Sequence, residues 1–125
     1  MAGESASGRV LIIDDDPHVR EMLRDFLIGH GYEVVAAGTG AQALEAVPAF
    51  QPDAIMVDML MPGLSGTDVL DALRRAGVTV PAILISVHHV ALREGFFGVL
   101  HKPFNLRTMA EVVAAAVAHG RTSDS

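Results

Sequence analysis

The chain has 125 residues, 50% hydrophobic and 19% charged, a balance that suits one globular domain with a real core and not a disordered segment. Its formal charge of −6 argues against direct contact with nucleic acid, and the absence of cysteine excludes disulfides, thiolate metal sites and cysteine nucleophiles. No apolar run is long enough to span a membrane, and residues 1–8 carry Glu4 without a basic, apolar leader, so a cytoplasmic protein with a disordered lead-in over 1–8 is expected.

Val10 to Ile13 is an unbroken run of branched apolar residues, the pattern of a strand buried on both faces. It ends at Asp14-Asp15-Asp16-Pro17, where Asp16 can cap a helix and Pro17 suits its first turn. Val19, Met22, Leu23, Phe26 and Leu27 follow at helical spacing until Gly29 and Gly31 stop the helix. Tyr32 to Ala37 reads as a second strand, and Gly40 to Val47 as a short Ala-rich helix ending at Pro48. Ala54 to Met59 is a third strand, closed by Met61-Pro62-Gly63, and Thr67 to Ala76 a helix with Val69, Leu70 and Leu73 on one face. Ala82 to Ser86 is a fourth strand and Gly98 to His101 a fifth. Asn105 can cap a last helix that carries Leu106, Met109, Val113 and Val117. Strands alternating with helices predict an α/β domain over 9–119, a parallel sheet with helices on both faces, followed by a short tail over 120–125.

In an open parallel sheet, sites form at the carboxyl ends of the strands. The first strand here ends in Asp14 and Asp15, the third in Asp58, the fourth in Ser86 and the fifth in Lys102, the only lysine of the chain. Each has an ordinary explanation alone: a helix cap, a strand-end hydroxyl, a surface cation. Together they define a chemistry. Three carboxylates brought together repel one another unless a cation neutralises them, and a hard divalent ion bound by oxygen is the natural remedy. A lysine ammonium and a serine hydroxyl suit phosphate, and a carboxylate can itself be the nucleophile that forms an aspartyl phosphate.

At this point the chain resembles the response-regulator receiver family. The matching pieces are Val10-Leu-Ile-Ile-Asp-Asp-Asp-Pro17, Ala54-Ile-Met-Val-Asp-Met-Leu-Met-Pro-Gly63, Pro81-Ala-Ile-Leu-Ile-Ser86 and Leu100-His-Lys-Pro-Phe104, in family order across nearly the whole chain. The resemblance implies a flavodoxin-like, doubly wound five-stranded parallel sheet of order 2-1-3-4-5. That order is known for the chemotaxis regulators and is carried over with the family, not deduced from the residues. The resemblance also implies Asp58 as phosphoacceptor, with Asp15, Asp58 and the Leu60 carbonyl as ligands of Mg²⁺ or Mn²⁺ and Asp14 supporting the metal through water. Ser86 then corresponds to the switch hydroxyl, Lys102 to the phosphate-binding lysine, and Lys102-Pro103 to the family's cis peptide. The implied donor is a phosphohistidine on a sensor histidine kinase or phosphotransfer protein, and the output partner is another protein, unspecified. Such a domain is not an enzyme in the usual sense, since it catalyses only its own phosphorylation and dephosphorylation.

Three features depart from the family pattern. The segment between Ser86 and Lys102 is roughly six residues short, about one and a half helical turns, so the fourth helix is expected to be shortened or irregular. The position of the switch aromatic holds Val99, with Phe96 and Phe97 nearby, and the residue after the switch hydroxyl is the β-branched Val87, able to crowd the phosphoryl site. Phe96 and Phe97 either fill the volume left by the short helix or form an exposed patch for a partner or a homodimer. His88-His89 has no convergent further ligand and is a weak metal candidate. The alternative function is a pseudo-receiver, the same fold used as a binding module without productive phosphorylation. A haloacid-dehalogenase-type phosphatase is disfavoured, because His18 stands where that motif wants a hydroxyl and no cap domain is present.

Overall fold

The computed structural model describes residues 8–61, 63–87 and 95–123. Among these the strands are β1 (Arg9–Ile13), β2 (Glu33–Ala37), β3 (Ala54–Asp58), β4 (Leu60–Met61), β5 (Leu64–Ser65), β6 (Ala82–Ser86) and β7 (Gly98–His101). The helices are α1 (Pro17–Gly29), α2 (Gly40–Phe50), α3 (Gly66–Arg75) and α4 (Leu106–Ser123). Five strands pair in parallel in the order β2-β1-β3-β6-β7, which is the expected 2-1-3-4-5 when the strands of this sheet alone are numbered. The domain is thus the α/β doubly wound sheet that the sequence predicts.

The all-apolar strands lie where both faces of the sheet are covered. Val10 and Ile12 face one core with Leu23 and Leu27 of α1 and Met109 and Val113 of α4. Leu11 and Ile13 face the other, with Ala43 of α2 and Val69, Leu70 and Leu73 of α3. Strand alternation sends successive side chains to opposite cores, and each fully buried Leu or Ile contributes about 1.5–3 kcal/mol. The helix starts follow the expected chemistry. The Asp16 side chain accepts from His18 N–H at 2.9 Å with Pro17 in the first turn, Asn105 accepts from Thr108 N–H at 3.0 Å, and Ser65 and Asp68 form a reciprocal capping box on α3.

Several details differ from expectation. Pro48 does not end α2 but lies inside it, and the helix closes at Gln51, whose left-handed φ of 52° lets its N–H bond Val47 O. A proline so near the C-terminus loses one ladder bond, while its fixed φ still suits the helix. The two-residue β4–β5 hairpin was not expected; it pairs Leu60 with Ser65 and Met61 with Leu64 just past the end of β3. The tail does not begin at residue 120, because α4 continues to Ser123, and Gly120 is buried where a Cβ would collide with the Asp53 carbonyl oxygen. Gly8, assigned to the lead-in, is already anchored, its carbonyl accepting from Glu33 N–H at 2.9 Å. Residues 1–7 lie outside the described residues, as do residues 88–94 with His88-His89 and most of the expected short fourth helix.

Of the two readings for Phe96 and Phe97, packing is the one found. Phe96 is 6% exposed in the core on the α2/α3 face, and Phe97 packs against the opposite core with its ring 5.5 Å from that of His119. Val99 lies against the α2/α3-face core, on the same side of the sheet as Phe96. No described helix is long and apolar enough to cross a membrane.

Candidate functional site

The carboxyl ends of β1, β3, β6 and β7 meet along one edge of the sheet. Asp14 extends the β1 ladder by one bond, its N–H reaching Ala37 O at 3.1 Å, and this carries its side chain into full burial. Oδ1 accepts from Asp16 N–H at 2.9 Å, whereas Oδ2 is buried without a hydrogen bond. Its charged neighbour is the Lys102 ammonium at 3.7 Å, which also stands 3.9 Å from Asp58 Oδ2. The other Asp58 oxygen accepts from Leu60 N–H at 3.3 Å. Asp15 is exposed, and one carboxylate oxygen from each of Asp14, Asp15 and Asp58 lies within 4.8 Å of the other two.

Burial raises the Asp14 carboxyl above its ordinary value of 3.8; the Asp16 N–H and Lys102 oppose this, and the charges of Asp58 and Asp15 add to it. A buried acceptor that no protein donor satisfies, beside two further carboxylates, fits a divalent cation held by oxygen. Lys102 reaches this place because β7 pairs with β6 to the end, Ser86 opposite His101, and Lys102 N–H then bonds Ser86 O at 2.7 Å. Ser86 itself is 2% exposed. The Lys102–Pro103 peptide is cis. Leu60 is 57% exposed beside Asp58 at the start of the hairpin. The structure therefore brings Asp14, Asp15, Asp58 and Lys102 into one cluster and sets Ser86 and Leu60 next to it.

Val87 is 55% exposed and lines a groove of about 460 Å³ with Val19 and Met22 of α1 and Pro103, Phe104 and Leu106 beyond β7, beside Lys102. Met22 and Leu106, at 47% and 42% exposure, are two more of the large apolar residues left open to solvent.

Three residues at the site were not singled out from sequence. Arg20 donates from Nη1 to the Asp14 carbonyl at 2.6 Å, and Gly38 makes room for its guanidinium. Gly66 packs on the phosphoacceptor candidate's own backbone: a Cβ there would sit 2.7 Å from Asp58 O. These are close approaches between distant segments, and neither periodicity nor motif spacing carries them. The one hint, an arginine one turn into α1, does not tell an inward side chain from a solvated one.

Comparison with known proteins agrees with this geometry. Residues 10–114 match the response regulator receiver domain family. The DNA-binding response regulator MtrA of Mycolicibacterium smegmatis is 34% identical over 113 residues, 86% of this chain and 49% of that protein. The response regulator MprA of Mycobacterium leprae is 34% identical over 123 residues, 94% of this chain and 54% of that protein. The chain thus spans about half the length of the curated relatives it matches. Among solved structures, the Vibrio cholerae chemotaxis protein CheY4 superposes with a TM-score of 0.80 at 28% identity, covering 86% of this chain and 97% of that one. With a family match from Val10 into the middle of α4, and the same fold in a chemotaxis regulator, the chain belongs to the response regulator receiver domains of two-component signalling.

Proposed function

We propose that this receiver domain accepts a phosphoryl group on Asp58 from a phosphohistidine of a sensor kinase or phosphotransfer protein. The observation that carries the proposal is the Lys102 ammonium standing between Asp14 Oδ2 and Asp58 Oδ2, in a cluster whose buried Asp14 oxygen lacks a hydrogen bond. In the step, an Asp58 carboxylate oxygen attacks phosphorus, the P–N bond to the donor imidazole breaks, and the nitrogen leaves with the electron pair. Asp14, Asp15, Asp58 and the Leu60 carbonyl would hold Mg²⁺ or Mn²⁺, which when bound supplies positive charge against the carboxylates and the transferred group. Lys102 supplies a fixed point charge for the phosphoryl oxygens, and the Ser86 hydroxyl, at the end of the neighbouring strand, supplies a donor. Turnover is confined to the domain's own phosphoryl group.

The donor protein would lay apolar side chains into the groove lined by Met22, Val87 and Leu106, because that groove runs beside Lys102 and its occupant would bring a histidine within reach of Asp58. The acidic charge of −6 argues that this chain supplies the switch and does not itself contact DNA, although one set of its relatives is named as DNA-binding.

The test is intact mass after incubation with Mg²⁺ and a small acyl-phosphate donor, beside Asp58→Asn. One phosphoryl group gained by the wild type alone is the expected result. A gain that survives Asp58→Asn would move the acceptor elsewhere. No gain from either the small donor or a phosphohistidine protein would favour the pseudo-receiver reading.

A further inference from the structure

We propose that Arg20 is the positioning residue of the acidic loop: its guanidinium clamps the peptide between Asp14 and Asp15 from the α1 side and so aims both carboxylates at the cation site. This rests on the metal reading given above.

The clamp is one charge-assisted bond, Arg20 Nη1 to Asp14 O at 2.6 Å, shorter than the usual ~2.9 Å of an N–H···O bond. The carbonyl it holds belongs to the planar unit that joins Asp14 to Asp15, so fixing that oxygen fixes the plane from which both side chains depart. Asp14 is held at two further points, by its N–H on Ala37 O at 3.1 Å and by Asp16 N–H on Oδ1 at 2.9 Å. The polar atom of Asp14 left without a hydrogen bond is Oδ2, which lies in the carboxylate cluster. Three anchored atoms leave the fourth aimed.

A second observation comes from the opposite side of the guanidinium. A Cβ on Gly38 would lie 2.9 Å from Arg20 Nη1 and 3.4 Å from Cζ. Gly38 is not in the left-handed φ range, so its backbone does not demand glycine. The demand is the arginine's. The loop that carries Gly38 is pinned in turn, its N–H donating to Gln42 Oε1 at 2.8 Å. Arg20 is therefore lodged between the β1–α1 and β2–α2 loops.

Charge and position predict opposite signs. Arg20 is a cation beside a cation site, so by Coulomb's law alone its neutralisation would ease repulsion and tighten metal binding. If it acts by aiming the carboxylates, its loss weakens binding, on the order of tenfold, as is usual when an outer partner of a metal ligand is removed.

The experiment is a Mn²⁺ titration of the full chain followed by electron paramagnetic resonance, with Mg²⁺ in competition, for wild type, Arg20→Met, Arg20→Lys and Gly38→Ala. A thermal melt of each checks the fold. Arg20→Met is expected to raise the apparent Mn²⁺ dissociation constant about tenfold, Arg20→Lys by less because it keeps a donor, and Gly38→Ala in the same direction by displacing the guanidinium. Phosphorylation from a small acyl phosphate should slow at limiting Mg²⁺ and recover at saturating Mg²⁺. Unchanged or tighter Mn²⁺ binding in a folded Arg20→Met overturns the proposal. Should that variant fail to fold, unchanged binding in both Arg20→Lys and Gly38→Ala overturns it equally. A wild type that binds no Mn²⁺ refutes the metal reading itself, which separates the two failures.

Discussion

Replacing Asp14 by Asn should stabilise the metal-free protein and weaken its response to Mg²⁺. The magnitude follows from the distances. With an effective dielectric of about 20, the Lys102 ammonium at 3.7 Å attracts the Asp14 carboxylate by about 4.5 kcal/mol. Asp58, with an oxygen no more than 4.8 Å away, repels it by about 3.5 kcal/mol or more. Asp15 is exposed, and solvent screening cuts its repulsion to roughly half of that or less. Attraction and repulsion nearly cancel, so the burial of Oδ2 without a hydrogen bond decides the sign, at a cost on the order of 1 kcal/mol. Asn keeps an acceptor for Asp16 N–H and removes the charge. Asp14→Asn should therefore gain about 1 kcal/mol, or about 3–5 °C in melting temperature for a domain of this size.

The pH dependence carries the same sign. The native carboxyl holds its proton to a higher pH than the unfolded chain does, so the native state binds more protons between the two values. The stability of the metal-free wild type should fall as pH rises from about 3.8 through the raised native value, and Asp14→Asn should lack that part of the fall. Urea denaturation followed by circular dichroism, in chelator and in Mg²⁺, reads both effects. With the proposed site binding Mg²⁺, a concentration a hundred times the dissociation constant should stabilise the wild type by about 2.7 kcal/mol. A variant that binds ten- to a hundredfold more weakly gains about 1.4 to 0.4 kcal/mol, enough to erase or reverse its metal-free advantage. A metal-free Asp14→Asn less stable than wild type would refute the account of Asp14 as a strained carboxylate. Equal stabilisation of both by Mg²⁺ would remove Asp14 from the cation site.

Other perturbations test other parts of the architecture. Gly66→Ala puts a Cβ 2.7 Å from Asp58 O and 2.9 Å from Leu84 Cδ1, so it should cost about 1–3 kcal/mol in urea denaturation and slow phosphorylation together, because the displaced backbone is that of the proposed acceptor. Arg74→Met strips donors from Val78 O, Val80 O and Gly95 O and should lower stability by about 2 kcal/mol, with hydrogen exchange accelerating around residues 78–80 and 95–97 before the rest of the sheet. Met22→Asp places a charge in the apolar groove; transfer from a phosphohistidine protein should slow severalfold, while phosphorylation by a small acyl phosphate stays near wild type, and equal slowing of both would remove the groove from donor docking.

Much of the fold was legible because its determinants are local. The sheet strands fall within a residue of their apolar runs, since Val10 to Ile13 and Ala82 to Ile85 are buried on both faces and no helical periodicity competes with them. The polar residues were legible for a different reason: a parallel sheet gathers whatever follows its strands at one edge, so Asp14, Asp58, Ser86 and Lys102 could be assigned to a common place from their positions alone. The misses are tertiary. Pro48 looked like a stop because proline ends most helices, but one lost bond near a C-terminus is tolerated when Gln51 closes the turn. Arg20, Gly38 and Gly66 matter through contacts with segments far away in sequence, and a glycine whose φ is ordinary gives no sign that a guanidinium or a carbonyl oxygen occupies the space beside it.

The short connection between β6 and β7 is one of the departures from the family pattern, and the geometry separates it from the carboxylate–lysine cluster. What Lys102 needs is register, not a helix of a particular length. β7 is held to β6 from Ile83 opposite Gly98 to Ser86 opposite His101, and Lys102 N–H closes the ladder on Ser86 O. The entry to β7 is held independently: Phe97 N–H bonds Ala82 O, Arg74 bonds Gly95 O, and Phe96 and Phe97 pack into opposite cores on either side of the sheet. With both ends of β7 fixed by contacts that lie outside residues 88–94, the length of that segment does not enter the position of the ammonium. A change in segment length can therefore alter the surface that the α3, β6 and β7 edge presents to a partner while leaving the carboxylate–lysine cluster as it is.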